Sequence, residues 1–183
     1  MSISIEIKEN NEQYASVDYW NERYTNEVEY DWLGDYNIFK ELIHRHVSKS
    51  EKILMVGCGN SKLSEQMFKD GYENIVSTDY SEVCIANQKK AFPHLTWQVA
   101  DLMNLKDFID ESFDVVIEKA TLDALLVGEK SPWHPSDGLN FISPFSCSPD
   151  PNGPIQQPIS KLCTNLDFHY VFRQSDYLNL TKN

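Results

Sequence analysis

The segment 56–61, with the sequence VGCGNS, places two glycines directly after a short apolar run. Glycine lets the backbone turn sharply and approach a ligand closely, because it has no Cβ atom. A Gly-x-Gly turn after a buried strand can open a dinucleotide site, but it is equally compatible with a simple tight turn. A dinucleotide fingerprint has a third glycine, which would fall at Lys62. Its absence counts against a pyrophosphate on the helix N-terminus.

Two aspartates follow the next two predicted strands. Asp79 lies twenty residues after Gly59, where a carboxylate can accept hydrogen bonds from both ribose hydroxyls of an adenosine ligand. The alternative is a loop aspartate that caps the following helix. Asp101 suits an adenine amino group, with Leu102 packed on the ring, although alone it would be a turn residue. Together, the three strand-end features favour an adenosine site.

Charged residues also follow the fourth predicted strand, in the segment 117–123 (IEKATLD). Buried charges need partners, so Glu118, Lys119 and Asp123 form either a structural ion-pair set or part of an active site. We assign no catalytic residue from the sequence. Glu118 and Asp123 are candidates for a general base.

Short apolar strands alternate with helices and must position these residues. The predicted strands are 52–56, 74–78, 95–99 and 113–117, and helices are predicted over 17–24, 35–47, 62–69 and 81–91. Asp35 and Ser81 are suitable N-caps. This alternation predicts an α/β fold with about four parallel strands flanked by helices. Right-handed crossovers bring the strand ends to one edge of the sheet.

The chain changes character after Gly128. Seven of its eight prolines fall between 132 and 158, which excludes a crossover helix there, and only a weak apolar run follows at 168–172. We therefore predict a mostly irregular tail over 129–183.

The formal net charge of −12 argues against a nucleic-acid-binding surface. Residues 1–35 contain nine acidic and two basic side chains. They form either a solvated acidic arm or a field that steers a basic substrate or a cationic cofactor.

No secretory signal or membrane span is visible. The four cysteines lack metal-ligand spacing, so we expect reduced thiols, no metal and a cytoplasmic protein.

Several stretches together resemble the class I S-adenosylmethionine (SAM)-dependent methyltransferases. Within that family they are similar to the branch of elongation factor 1-alpha lysine methyltransferases. The stretches are YWNERY (19–24), YDWLGD (30–35), ILMVGCGNS (53–61), TDYS (78–81) and FDVVIEKATLDALL (113–126). The resemblance extends from about Tyr19 to Trp133. It implies a Rossmann-like sheet and a protein-lysine N-methyltransferase that uses SAM and releases S-adenosylhomocysteine. Its protein substrate would be elongation factor 1-alpha, and we expect a monomer.

The resemblance also implies roles for residues of the N-terminal segment and the first turn. Trp20, Tyr24 and Trp32 match family residues that close over the cofactor, and Gly57 matches the glycine beneath the methionine part. Aromatic faces are chemically sensible near a sulfonium, because it is a cation.

Residues after the later strands are assigned in the same way. Asp79 and Tyr80 match the ribose and adenine contacts, Asp101 and Leu102 match the adenine end, and Lys119 matches a cofactor contact.

The resemblance ends after Trp133, where family members continue with a helix, a fifth strand and an antiparallel strand pair. The segment 136–183 shows no such likeness. We therefore predict a flexible arm over 1–15, a partial domain over 16–133 and a divergent, mostly irregular tail over 134–183. The fourth strand would then be an exposed apolar sheet edge. A second hypothesis is therefore a catalytically impaired, truncated isoform that binds only cofactor or a partner. A third is an NAD-dependent oxidoreductase, which the missing third glycine and the lack of a visible hydride-transfer pair disfavour.

Overall fold

The computed structural model describes residues 11–109, 112–125 and 169–172. A 3-10 helix at Asn11–Ala15 precedes two helices and an alternating series of strands and helices. The helices are α1 (Val17–Asn26), α2 (Tyr36–His46), α3 (Leu63–Lys69), α4 (Glu82–Ala91) and α5 (Thr121–Leu125). The strands are β1 (Ile53–Val56), β2 (Ile75–Asp79), β3 (Thr96–Val99), β4 (Val115–Lys119) and β5 (His169–Phe172).

The five strands form one sheet in the order β3-β2-β1-β4-β5, and all four strand pairs are parallel. The order reverses between β1 and β4, which are neighbours in space although two strands separate them in sequence. Ligands of open α/β sheets bind in the crevice at such a switch point, beyond the carboxyl ends of the strands. The predicted Rossmann-like α/β sheet is thus confirmed.

Local sequence explains where the main helices begin. Asp35 accepts a hydrogen bond from the Asn37 amide at 3.0 Å, and Ser81 accepts one from the Cys84 amide at 3.1 Å. Each bond satisfies a backbone donor in the first turn, as predicted for these N-caps. All four residues of β1 are buried, as expected for a central parallel strand covered on both faces. None of the described helices is long and apolar enough to cross a bilayer.

The fourth strand begins and ends two residues later than predicted. Its register is set by β1, with Ile53 opposite Val115 and Val56 opposite Glu118. The apolar run at 113–117 therefore marks the strand only approximately. Glu118 and Lys119 belong to the strand rather than to the turn after it.

The expectation that β4 forms an open sheet edge is wrong. Residues His169–Phe172 pair with β4 in parallel, with Val116 opposite His169 and Lys119 opposite Phe172. This segment is rich in aromatic and β-branched residues, which favour strands, and pairing satisfies the backbone groups of β4. The rest of the predicted tail, and residues 126–133 before it, lie outside the described residues.

Candidate functional site

A cavity of about 420 Å³ opens at the carboxyl ends of β1, β2, β3 and β4. Its lining includes the glycine turn after β1, the end of β2, the segment after β3 and the turn after β4. All nine residues predicted to contact a cofactor line it: Trp20, Tyr24, Trp32, Gly57, Asp79, Tyr80, Asp101, Leu102 and Lys119. The fold therefore brings together residues that are spread over a hundred positions of sequence.

The floor of the cavity is the glycine turn. Gly57 and Gly59 have positive φ values of 59° and 53°, a conformation that residues with a Cβ rarely adopt. A Cβ at Gly57 would lie 2.0 Å from the Thr121 hydroxyl oxygen, and one at Gly59 would lie 3.1 Å from the Tyr24 hydroxyl. The turn thus needs glycine at Gly57 both for its backbone shape and for its packing against α5.

Asp79 lies beside this turn and is almost fully buried. Its Oδ2 accepts a hydrogen bond from the Gly59 amide at 3.0 Å, and its Oδ1 accepts one from the Ser81 amide at 2.9 Å. Burial raises the pKa of Asp79 to about 6, although these amide donors oppose the shift. Each carboxylate oxygen keeps a second lone pair. Asp79 is thereby oriented at the cavity wall with capacity for two more donors.

The segment after β3 forms another part of the wall. The Asp101 carboxylate accepts a hydrogen bond from the Met103 amide at 2.8 Å, and Asp101 pairs with Asn104 in an isolated bridge. Leu102 is buried between these polar residues. Tyr80 lies on the neighbouring strand end, and burial raises the pKa of its hydroxyl. An apolar surface flanked by hydrogen-bonding groups suits a planar, polar-edged ring.

Five aromatic side chains cover the cavity from the N-terminal segment, and we call them the aromatic lid: Tyr14, Trp20, Tyr24, Tyr30 and Trp32. The rings of Trp20 and Tyr24 are stacked at 5.6 Å, and Trp20 meets Trp32 edge to face at 6.3 Å. The Trp20 indole donates a hydrogen bond to the Tyr14 carbonyl oxygen at 2.7 Å. Tyr14 belongs to the predicted flexible arm, yet here it is partly buried.

A cation already sits against the outer part of the aromatic lid. The Arg23 guanidinium lies 4.9 Å from the Trp32 ring and 5.1 Å from the Tyr30 ring, and it is paired with Glu27. These distances are typical of cation–π contacts. The aromatic lid can therefore hold a positive group, which is the property that a sulfonium requires.

Side-chain amides attach the lid to the sheet. Asn60, in the glycine turn, donates to the Glu27 carbonyl oxygen at 3.1 Å, and Asn87, on α4, donates to the Tyr24 carbonyl oxygen at 2.8 Å. Both bonds hold the C-terminal end of α1 through its backbone, without depending on lid side chains. The lid is thus anchored to the glycine turn and to α4.

Lys119 provides a third anchor, from the end of β4. Its ammonium donates to the Asp31 carboxylate at 3.0 Å and to the carbonyl oxygens of Trp32 and Gly34 at 2.8 and 3.3 Å. The Ser61 hydroxyl also donates to the Asp31 carboxylate. Burial lowers the pKa of Lys119, and the neighbouring Asp31 opposes that shift. All three ammonium donors are engaged, so Lys119 positions the segment 31–34, and its direct contact with a cofactor stays a prediction.

The two candidate bases differ in their surroundings. Glu118 is buried, and its Oε1 accepts a hydrogen bond from the Leu122 amide at 2.7 Å, which stabilises the start of α5. Asp123 lines the cavity. Between them, Ala120 has a φ of 66°, a strained conformation for a residue with a Cβ. Of these two acidic residues at the end of β4, Glu118 therefore has a structural role and Asp123 lines the cavity.

Sequence patterns missed Asp31 and Ser61, which connect the lid to the strand ends. Asp31 lies in the YDWLGD stretch and Ser61 in the glycine turn, but each was only part of a motif there. An aspartate and a lysine 88 residues apart form no local pattern. The only sequence feature that could have pointed to Ser61 was its position directly after the glycine turn.

Residues 54–132 match a protein-family model described as a methyltransferase domain. The chain is 42% identical to EEF1A lysine methyltransferase 4 of Mus musculus over 144 residues, which are 75% of this chain and 56% of that protein. It is 35% identical to the eEF1A lysine and N-terminal methyltransferase of Homo sapiens over 68% of this chain and 18% of that protein. The chain thus spans about half the length of the first relative and less than a fifth of the second.

A solved SAM-dependent methyltransferase structure from Methanosarcina mazei overlaps 44% of this chain and 42% of its own, with 25% identity and a TM-score of 0.41. The family match and the named relatives favour methyl transfer over the dinucleotide alternative that the Gly-x-Gly turn left open.

Proposed function

We propose, on the premise that this chain carries a SAM-dependent methyltransferase domain, that it is a protein-lysine N-methyltransferase. The substrate we propose is elongation factor 1-alpha, the protein named in the relatives' own names. We further propose that the chain acts as a monomer in the cytoplasm. SAM supplies an electrophilic methyl group, and S-adenosylhomocysteine is the product.

The buried Asp79 carboxylate carries this proposal. It lies at the cavity wall, is held by the Gly59 and Ser81 amides, and retains acceptor capacity for the two ribose hydroxyls. Gly57 leaves room beneath the methionine part of the cofactor. We assign the adenine end to the wall formed by Tyr80, Asp101 and Leu102, which provides an apolar surface with polar edges.

The aromatic lid is assigned to the sulfonium end of the cofactor. Trp20 and Tyr24 present stacked rings to the cavity, and aromatic faces attract cations more strongly when water is excluded. Lys119 contributes by holding the segment 31–34 in place, which keeps Trp32 at the cavity. In this proposal the chain's own groups bind and orient the cofactor, and most of the catalytic effect comes from alignment.

The substrate amine must be neutral when it attacks the methyl carbon. A water-poor aromatic site lowers the pKa of a lysine, because burial disfavours the charged form. The lysine loses its proton to solvent or to a base before attack. Asp123 is the better placed of the two candidate bases, because it lines the cavity whereas Glu118 stabilises α5.

Net charge supports a basic protein as the substrate. The chain carries a formal charge of −12, and several of its acidic residues lie in the segment that forms the aromatic lid. Such a field attracts a lysine-rich surface and repels nucleic acid. It also raises the local concentration of a cationic cofactor.

The proposal is tested by incubating the 183-residue chain with SAM and purified elongation factor 1-alpha and mapping methyl-lysine by mass spectrometry. We expect a methylated lysine whose yield falls strongly with Asp79→Asn when SAM is limiting. Binding of S-adenosylhomocysteine without any methylation would instead support the second hypothesis, in which the chain binds only cofactor or a partner.

A further inference from the structure

Two thiols and one carboxylate meet beneath the glycine turn. The Sγ atoms of Cys58 and Cys84 and a carboxylate oxygen of Asp79 all lie within 4.8 Å of one another. Cys58 follows β1, Asp79 ends β2, and Cys84 lies in the first turn of α4. The exposed fractions are 8% for Cys58, 1% for Cys84 and 4% for Asp79, so the cluster is shielded from bulk water. We call these three residues the thiol–carboxylate cluster.

The donor set matches the preference of a thiophilic divalent cation. Zn²⁺ binds cysteine thiolates and carboxylates in tetrahedral geometry, and Zn–S bonds of about 2.3 Å place two sulfurs about 3.8 Å apart. Side-chain shifts of about 1 Å would therefore bring the cluster to ligand spacing. Hard cations such as Mg²⁺ and Ca²⁺ prefer all-oxygen sites and are poor competitors here.

Neighbouring groups already orient the ligands. The Gly59 and Ser81 amides hold the two Asp79 oxygens, and the Ser81 hydroxyl accepts a hydrogen bond from the Cys84 amide. Outer contacts of this kind fix the direction of metal ligands and strengthen a site.

The cluster borders the cavity on one side. Cys58 and Asp79 are part of the cavity lining, whereas Cys84 is not. A cation held by three protein ligands would therefore keep a fourth position directed to the cavity, as in open zinc sites. The same Asp79 oxygens are the acceptors that we assign to the ribose hydroxyls.

We propose that Cys58, Cys84 and Asp79 bind one thiophilic divalent cation of the Zn²⁺ class, and that this cation and SAM exclude each other. The second clause rests on the proposed function, since it requires Asp79 to hold the ribose. On binding, each thiol releases one proton to solvent and its sulfur donates an electron pair to the cation. The ligands then carry three negative charges around an ion of charge +2. Such a site would make methyl transfer sensitive to free zinc.

The test uses Co²⁺ as a spectroscopic substitute for Zn²⁺. The full chain carries Cys147→Ser and Cys163→Ser, because these two cysteines lie outside the described residues and would add thiols of unknown position. We expect one equivalent of Co²⁺ to produce a thiolate-to-cobalt charge-transfer band and the visible bands of a tetrahedral centre. Zn²⁺ should then abolish both. Absence of the charge-transfer band at a several-fold molar excess of Co²⁺ would overturn the metal site.

Cys84→Ala and Cys84→Ser provide the decisive variants, with circular dichroism to verify folding. Each should abolish the charge-transfer band, because only one thiolate and one carboxylate remain. Each should keep the parent's affinity for S-adenosylhomocysteine, since Cys84 lies outside the cavity lining. A band of unchanged intensity in either folded variant would show that the cobalt sits elsewhere and would refute the assignment.

Competition separates the two clauses of the proposal. In chelator-treated buffer, S-adenosylhomocysteine binding tests the proposed function without any metal. Adding S-adenosylhomocysteine to the cobalt-loaded chain should then remove the charge-transfer band. The concentration of S-adenosylhomocysteine that removes half of the band should rise in proportion to the cobalt concentration. A band that persists while the ligand demonstrably binds would contradict mutual exclusion. Cobalt binding without any S-adenosylhomocysteine binding would support the metal site and contradict the proposed function.

Discussion

The Asp79 carboxylate and the Gly59 amide are joined by a hydrogen bond of 3.0 Å. This bond connects the end of β2 directly to the glycine turn after β1, on the two sides of the cavity. Asp79 is thus oriented by backbone groups rather than by flexible side chains. A carboxylate held in this way is ready to accept two hydroxyl groups without reorganising.

Asp79→Asn should weaken S-adenosylhomocysteine binding by about 10- to 100-fold. Each hydrogen bond to a charged acceptor contributes about 1.5–3 kcal/mol, and 1.4 kcal/mol corresponds to a factor of ten in affinity. The asparagine also turns an NH₂ group toward an amide donor. Asp107→Asn is the matched control, because Asp107 is exposed and lies outside the cavity lining. Equal affinities of the two variants by calorimetry would contradict the assignment.

Trp20→Leu should lower the preference for SAM over S-adenosylhomocysteine by about 2- to 30-fold. The two ligands differ in the charge of the sulfur, and cation–π attraction is worth about 0.5–1 kcal/mol when exposed and about 2 kcal/mol when desolvated. The readout is the ratio of the two dissociation constants.

Trp97→Leu is the control for this ratio. Trp97 is 5% exposed and Trp20 is 9% exposed, and each indole donates to a backbone carbonyl, at 3.0 and 2.7 Å. Trp97 lies on β3, outside the cavity lining. Both variants should lose stability, but only Trp20→Leu should change the ratio. The same change in both would assign the effect to general destabilisation.

Lys119→Met should lower the free energy of unfolding by about 3–5 kcal/mol, the usual cost of removing one partner of a buried ion pair. Asp31 would be left with the Ser61 hydroxyl but without its cation. Urea unfolding of Lys119→Met, Asp31→Asn and the double variant measures the coupling. We expect the double variant to be less destabilised than the sum of the single variants. Strict additivity would show that the pair does not act as a unit, and exposed Lys106→Met serves as the control.

Gly57→Ala should abolish measurable S-adenosylhomocysteine binding even where the protein remains folded. Its Cβ would lie 2.0 Å from Thr121 Oγ1 and would push apart the turns that follow β1 and β4. Gly71→Ala carries a backbone penalty of the same kind, with φ at 99°, but its nearest contact is the flexible Lys49 side chain at 3.3 Å. We expect Gly71→Ala to lose stability and keep affinity. Retained affinity in Gly57→Ala would contradict the close-packed floor.

The features that sequence predicted are those encoded by neighbouring residues. Asp35 and Ser81 cap their helices because an N-cap requires only a short polar side chain before a helical pattern. Gly57 and Asp79 were recognisable because parallel strands bring their carboxyl ends to one edge. The same rule explains why the six predicted residues at strand ends line one cavity, whereas Trp20, Tyr24 and Trp32 reach it from the N-terminal segment.

The features that sequence could not predict depend on contacts between distant segments. Lys119 and Asp31 are 88 residues apart, and neither belongs to a periodic pattern that refers to the other. Cys58 and Cys84 have no metal-ligand spacing, and only the packing of α4 against the first turn brings the thiols together. Strand β5 was hidden because its apolar run is short and is preceded by a proline-rich segment.

Isothermal titration of the 183-residue chain with S-adenosylhomocysteine, in chelator-treated buffer, tests the central claim most directly. We predict saturable heat for one site per chain in the micromolar range, with the adenosine end recognised at the junction of β1, β2 and β3. Absence of heat up to high micromolar ligand, with the chain shown to be folded, would contradict the assignment of this cavity to SAM.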